Sequence, residues 1–228
     1  MITRERLLDG SLLAEWRAAA LPGAPLRSDA EIEASLEDAL SRRPGNRGAD
    51  VWVFGYGSLI WNPTFLFDEQ QAAVTKGWHR RFCIWTRTGR GTPDRPGLTL
   101  ALDRGGACRG VAFRIPAEQA GQELLLLWRR EMASGVYEAR WASLRLADGR
   151  RTDGLTFVAN RSHERYVRDL TTAEIASCLA TARGPLGTCA EYFHNTVEHL
   201  DHLGLPDNGL HRIRREMGAL TAAPTVAA

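Results

Sequence analysis

The run Trp52-Val53-Phe54-Gly55-Tyr56-Gly57-Ser58-Leu59-Ile60-Trp61 governs how the chain is read. Val51 to Phe54 form a short apolar strand that stops at a glycine, with a second glycine two residues on. A dinucleotide fingerprint needs a third glycine where Ile60 stands, and a P-loop needs Gly-Lys-Ser/Thr. A nucleophile elbow needs Gly-x-Ser-x-Gly, but Tyr56 and Ile60 occupy the glycine places around Ser58. What remains is a tight turn whose amides no side chain obstructs. It reads either as a plain strand end or as a nest of N–H groups suited to a carboxylate or a developing oxyanion.

Outward from this turn, Phe82–Trp85, Leu98–Leu102 and the alternating run 108–115 are expected strands. Pro116 is expected to open a helix through about Met132, and Tyr137, Ala139 and Trp141 alternate beyond it. Asp148-Gly149 and Asp153-Gly154 are turn signals before the strand Leu155–Val158, which predicts a hairpin. Thr171 and Glu174 form a capping box for a helix ending at Gly184-Pro185, and a last strong helix covers about 190–203. Strands in succession without βαβ alternation predict an α+β fold with a small, mostly antiparallel sheet, curled or closed, and flanking helices.

Residues 1–50 read as a helical extension and linker, 51–205 as the main body, and 206–228 as a C-terminal helix and tail. Leu7, Leu8, Leu12, Leu13 and Trp16 repeat at helical spacing up to Leu21-Pro22-Gly23. Ser28 and Glu31 box the start of a second helix, and residues 43–48 break it. These two amphipathic helices must pack on this domain or on a second copy, as in a homodimer.

Glu131 is the most informative anomaly. On a helix through 117–132 it lies about 20° from Leu124 and 40° from Leu127, in line with the apolar stripe, while Arg129 points the other way, toward water. A carboxylate aimed into apolar surroundings has a raised pKa, as a general base working near neutrality needs. The alternative is that Glu131 lies past the helix end or pairs with Arg130 or Arg140. His194, Glu198 and His202, at helical spacing, read as a solvated face rather than a metal site. Ser58 with His79 lacks an orienting acid for nucleophilic catalysis. Trp61, Trp78, Trp85 and Trp141 are expected in the core or as pocket walls.

Composition excludes other partners. Twenty-nine Lys+Arg against 27 Asp+Glu leave a net charge of +2, in scattered pairs, so no basic face for a nucleic acid is expected. No segment is long and apolar enough to span a membrane, and the first twenty residues carry charges throughout. The four cysteines form no Cys-x-x-Cys pair and read as reduced structural thiols of a cytoplasmic protein.

Together these residues resemble the ChaC family of glutathione-specific γ-glutamylcyclotransferases. The resemblance rests on 52–61, Arg80-Arg81-Phe82, Pro96-Gly97, Cys108–Arg114, Trp128-Arg129-Arg130-Glu131 with Gly135-Val136-Tyr137, and Gly184–Gly187 with Glu191-Tyr192. It differs in Met132-Ala133-Ser134, where the family usually has two glycines after Arg-Glu. The resemblance implies a cyclotransferase-type β-barrel that cleaves glutathione to 5-oxoproline and Cys-Gly. It implies Glu131 as catalytic acid/base, and Val53, Phe54, Gly55, Tyr56, Gly57, Ser58, Leu59 and Tyr192 as substrate-binding residues. No metal or cofactor is called for. The alternatives are a cyclotransferase for another γ-glutamyl amine or peptide, and a non-catalytic glutathione-binding module.

Overall fold

The structure, a computed structural model, describes residues 2–222 except Gly23 and Arg47. The expected break at Leu21-Pro22-Gly23 and the linker 43–48 therefore lie partly, and the tail after 222 wholly, outside the described residues. Three helices come first, α1 (Arg4–Leu8), α2 (Ser11–Ala18) and α3 (Asp29–Ser41). The first two were expected as one helix. Gly10 separates them at φ 76°, a left-handed conformation that a glycine adopts without a Cβ clash. The capping box at Ser28 and Glu31 starts α3 as the sequence indicates.

Five strands close a barrel: β1 (Val51–Gly55), β2 (Glu69–Thr86), β3 (Gly97–Ile115), β4 (Tyr137–Leu146) and β5 (Arg151–Ala159). Neighbours run β1-β3-β2-β4-β5, and β5 returns to β1 through the parallel pairs Trp52↔Gly154 and Val53↔Leu155. All of β1 is buried, which is why it reads as an unbroken apolar run. The barrel is mostly antiparallel and closed.

The two long strands differ from expectation. Leu98–Leu102 and 108–115 are one strand, β3, bent at Gly105 (φ 103°) and Gly106 (φ 69°) opposite Gly77 of β2 (φ 84°). The register between β2 and β3 shifts at Lys76/Trp78 and again at Phe82/Ile84, so the ribbon can curl around the barrel. Residues 69–81 of β2 were not expected as strand, because their exposed and polar positions hide the alternation. Asp153-Gly154 lies inside β5 rather than in a turn. Leu144 Cδ1 would stand 2.3 Å from a Gly154 Cβ, so glycine serves close strand packing there.

After β3 comes α4 (Ala120–Glu131), whose N-cap is Gln119 rather than a residue beside Pro116, and which ends on Glu131. Leu124, Leu127 and Trp128 pack toward the barrel, and the Trp128 ring meets Phe157 edge-on at 5.4 Å. Leu126 packs with Leu7 and Leu12, and Trp128 Nε1 donates to Ser35 Oγ (3.0 Å). The N-terminal helices thus pack on the back of α4, which is buried on both sides. Beyond the barrel lie α5 (Thr172–Thr181), a short hairpin of β6 (Arg183–Gly184) and β7 (Gly187–Thr188), α6 (Cys189–His202) and α7 (Asn208–Ala222). Gly184 belongs to that hairpin, so α5 ends three residues before it.

Gly110 faces the end of β1, where an added Cβ would lie 2.4 Å from the Gly55 carbonyl oxygen and 2.8 Å from the Phe54 ring. Gly110→Ala is expected to force β1 and β3 apart and destabilise the fold by about 1–3 kcal/mol, read as a lower urea midpoint. An unchanged midpoint would contradict this close approach.

Candidate active site

The site is assembled around one buried guanidinium. The Arg130 side chain is 2% exposed, and its Nε pairs with Glu131 Oε1 at 2.9 Å. Its Nη2 donates to Ser58 Oγ (2.9 Å) and its Nη1 to Thr64 Oγ1 (3.2 Å) and the Asn62 carbonyl. One side chain on the last turn of α4 therefore ties Glu131 to the turn that follows β1. That turn is a short 3₁₀ segment, Ser58–Ile60. The first amides of a helical turn have no acceptor within it. Among the described residues no other protein oxygen takes the amides of Gly57, Ser58 and Leu59.

Glu131, 14% exposed, opens on a narrow cavity of about 20 Å³ lined by Tyr56, Gly57, Ser58, Leu59, Tyr137 and Tyr192. Burial pushes its carboxyl above the ordinary carboxylate value, and the charge and hydrogen bond of Arg130 pull against that rise. The sequence posed burial and pairing with Arg130 as alternatives; both hold. Arg140 instead pairs with Glu138. The same carboxylate reaches two wider grooves, of about 390 and about 1280 Å³.

Three tyrosines surround the narrow cavity, and burial keeps each hydroxyl protonated, Tyr192 being pushed up to about 12. Tyr56 donates to the Phe157 carbonyl (2.7 Å) and Tyr137 to the Leu100 carbonyl (2.9 Å). The Tyr192 hydroxyl lies 3.2 Å from where a Gly57 Cβ would stand, so a side chain at 57 would crowd it. Arg80 holds the turn from behind, donating to the Tyr56 carbonyl and pairing with Asp207.

Of the residues expected at a binding site, Tyr56, Gly57, Ser58, Leu59 and Tyr192 share a cavity with Glu131. Val53, Phe54 and Gly55 sit behind it in the buried body of β1. Trp61 lines the wider groove and meets Tyr192 edge-on at 6.2 Å. His79 does not meet Ser58; its Nδ1 lies 3.1 Å from the Gly105 carbonyl, and the serine is held by Arg130. His194, Glu198 and His202 are exposed, and among the described residues no cluster suited to a metal is found. Arg129 was expected to face water, yet its Nη1 donates to the Leu7 carbonyl (3.0 Å), closing the end of α1.

Two features escaped the sequence. Arg130 read only as one of two arginines able to pair with Glu131, because its contacts to residues 58–64 are tertiary. The second is a bidentate pair between Arg4 and the buried Glu123, with Arg4 Nη2 to Oε1 at 2.7 Å and the Leu66 amide to Oε2 at 2.8 Å. Burial alone would raise the Glu123 carboxyl, but these hydrogen bonds and the Arg4 charge outweigh it and hold it low. With Asn62 Nδ2 bonded to the Ile2 carbonyl (3.0 Å), the N-terminal segment is strapped to the loop that Arg130 holds.

Residues 51–219 match the family model of ChaC-like proteins. The chain belongs to the ChaC-like family. This ChaC-like chain is 42% identical to the glutathione-specific γ-glutamylcyclotransferase of Escherichia coli, over 92% of its length and 89% of that protein's. It is 32% identical to γ-glutamylcyclotransferase 2-3 of Arabidopsis thaliana, over 69% and 83% of the respective chains. Among solved structures, that of a yeast γ-glutamylcyclotransferase specific to glutathione matches with a TM-score of 0.68 at 22% identity, covering 75% of this chain and 96% of that one. The barrel with flanking helices is thus the γ-glutamylcyclotransferase fold. Among the described residues no helix is long and apolar enough to cross a membrane.

The Arg130–Glu131 pair gives a direct expectation. In Arg130→Met the burial that raises the Glu131 carboxyl stays while the opposing charge and hydrogen bond are lost, so its titration moves further up. Carboxyl ¹³C NMR of glutamate-labelled protein reads this shift; a midpoint that stays or falls would contradict the clamp.

Proposed function

We propose that this chain is a γ-glutamylcyclotransferase that splits glutathione into 5-oxoproline and Cys-Gly, with Glu131 as the proton carrier. The observation that carries the reading is a largely buried carboxylate lining the same narrow cavity as Gly57, Ser58 and Leu59, whose amides have no protein acceptor among the described residues. The similarity to relatives named for this activity supports it. The four unpaired cysteines support a cytoplasmic location, where thiols stay reduced.

The γ-glutamyl group folds so that its α-amine approaches its own γ-carbonyl. Holding that geometry can supply on the order of 7–11 kcal/mol in the best cases. As the new C–N bond forms, the amine proton passes to Glu131 Oε2, because Oε1 is held by Arg130. Negative charge develops on the γ-oxygen, and the amides of Gly57 to Leu59 stabilise it as fixed donors that need no reorganisation. The bond to the cysteinyl nitrogen then breaks, and Glu131 returns the proton to that nitrogen. The carboxylate ends the cycle as it began.

Burial and pairing have separate effects here. The raised carboxyl makes Glu131 a better proton acceptor than an ordinary glutamate, while Arg130 opposes that rise and fixes the direction of the carboxylate. The Arg130 bond to Ser58 sets the distance from base to oxyanion donors.

Glu131→Gln is nearly isosteric and keeps an oxygen for Arg130, so the fold and substrate binding are expected to persist. 5-Oxoproline release from glutathione is expected to fall by about 10²–10⁴-fold. In the wild type, kcat/KM falls as pH drops through the raised Glu131 value, because the base must be ionised. Near-normal turnover by Glu131→Gln would refute the assignment.

A further inference from the structure

The leaving group must leave the narrow cavity by one of the two grooves that meet at Glu131. Their charged residues differ in how far the protein already uses them. In the wider groove, Arg4 is engaged by Glu123, and Arg90 donates to the Thr188 carbonyl (2.9 Å) and lies 5.3 Å over the Tyr192 ring. The groove of about 390 Å³ contains Arg87 and Arg165, with apolar walls from Trp16, Pro22 and Leu26. Arg165 donates through Nε to the Trp85 carbonyl (2.6 Å). Among the described residues, its two terminal nitrogens have no protein acceptor and its charge has no carboxylate partner within salt-bridge distance. Among the described residues, Arg87 makes only a 4.0 Å contact to Glu164, which is 61% exposed.

A half-buried guanidinium with an open fork facing a cavity is a site for a bidentate anion. Burial disfavours the Arg165 charge, so a bound carboxylate would relieve an existing cost. The groove also joins the two ends: Glu131, Tyr137 and Arg165 all line it. A dipeptide leaving group reaches about 7 Å from its nitrogen to its terminal carboxylate.

We propose that Arg165, assisted by Arg87, binds the C-terminal carboxylate of the leaving group, so that a free carboxylate there is a specificity requirement. This subsite rests on the cyclotransferase reading, and it assigns the smaller groove, walled by the N-terminal extension, to Cys-Gly.

The test compares glutathione with its glycine monoethyl ester, which lacks the charge but keeps the scissile bond. Wild type is expected to favour the acid by about 10- to 100-fold in kcat/KM, the range of a charge-assisted hydrogen bond. Arg165→Gln is expected to raise KM for glutathione by a similar factor with kcat little changed, and to leave the ester unaffected. Arg165→Lys should restore part of the preference, and Arg87→Gln should weaken it. Arg90→Gln should leave the acid-to-ester ratio as it is. The ester rate reports folding in each variant. Where Arg165→Gln fails to fold, the wild-type ratio and Arg87→Gln decide. Equal rates on acid and ester in the wild type, an unchanged ratio in Arg165→Gln, or loss of the ratio in Arg90→Gln instead would overturn the subsite. If wild type turns over neither substrate, it is the cyclotransferase reading that has failed.

Discussion

A single buried guanidinium organises the site. Arg130 reaches Glu131, Ser58, Thr64 and the Asn62 carbonyl at once, so the last turn of α4 and the turn after β1 cannot shift independently. A buried charge needs partners, and two of these, Glu131 and Ser58, belong to the proposed chemistry. Burial raises the carboxyl, and the charge and hydrogen bond of Arg130 oppose that rise. The serine is held as an acceptor rather than freed as a nucleophile.

The barrel makes this meeting point rigid. β1 is buried throughout and pairs with β3 on one side and β5 on the other, so the turn at its end is anchored from both edges. Glycines at 110 and 154 let neighbouring chains approach where any Cβ would clash. On the far side, α4 lies between the barrel and the N-terminal helices, and Arg4 with Glu123 fastens the first residues of the chain to the loop under Arg130. The extension therefore contributes a wall to the groove beside Glu131.

What was legible in the sequence was local. The turn at 54–59 showed itself by glycines next to an apolar strand, and Glu131 by its phase on an apolar helix face. The capping boxes at Ser28 and Thr171 marked helix starts because their hydrogen bonds span three residues. The long β2–β3 ribbon was only half legible. Its stretch from Glu69 to Lys76 buries only Ala73 and Thr75 among polar and part-exposed residues, and its bends at Gly77 and Gly105-Gly106 read as breaks between separate strands. Arg130 as a clamp, the Arg4–Glu123 pair and the open fork of Arg165 left no local trace. Their partners lie tens of residues away, and helical phase says nothing about what a buried arginine meets.

The central claim is that one dry carboxylate and a set of main-chain amides face the same small space and act on the same γ-glutamyl group. A crystal structure of the protein bound to 5-oxoproline tests it most directly. The lactam nitrogen is expected within hydrogen-bonding distance of a Glu131 carboxylate oxygen, with a ring or carboxylate oxygen on the amides of Gly57 to Leu59. A product bound elsewhere, or one whose nitrogen faces solvent while Glu131 stays paired with Arg130 alone, would contradict the account.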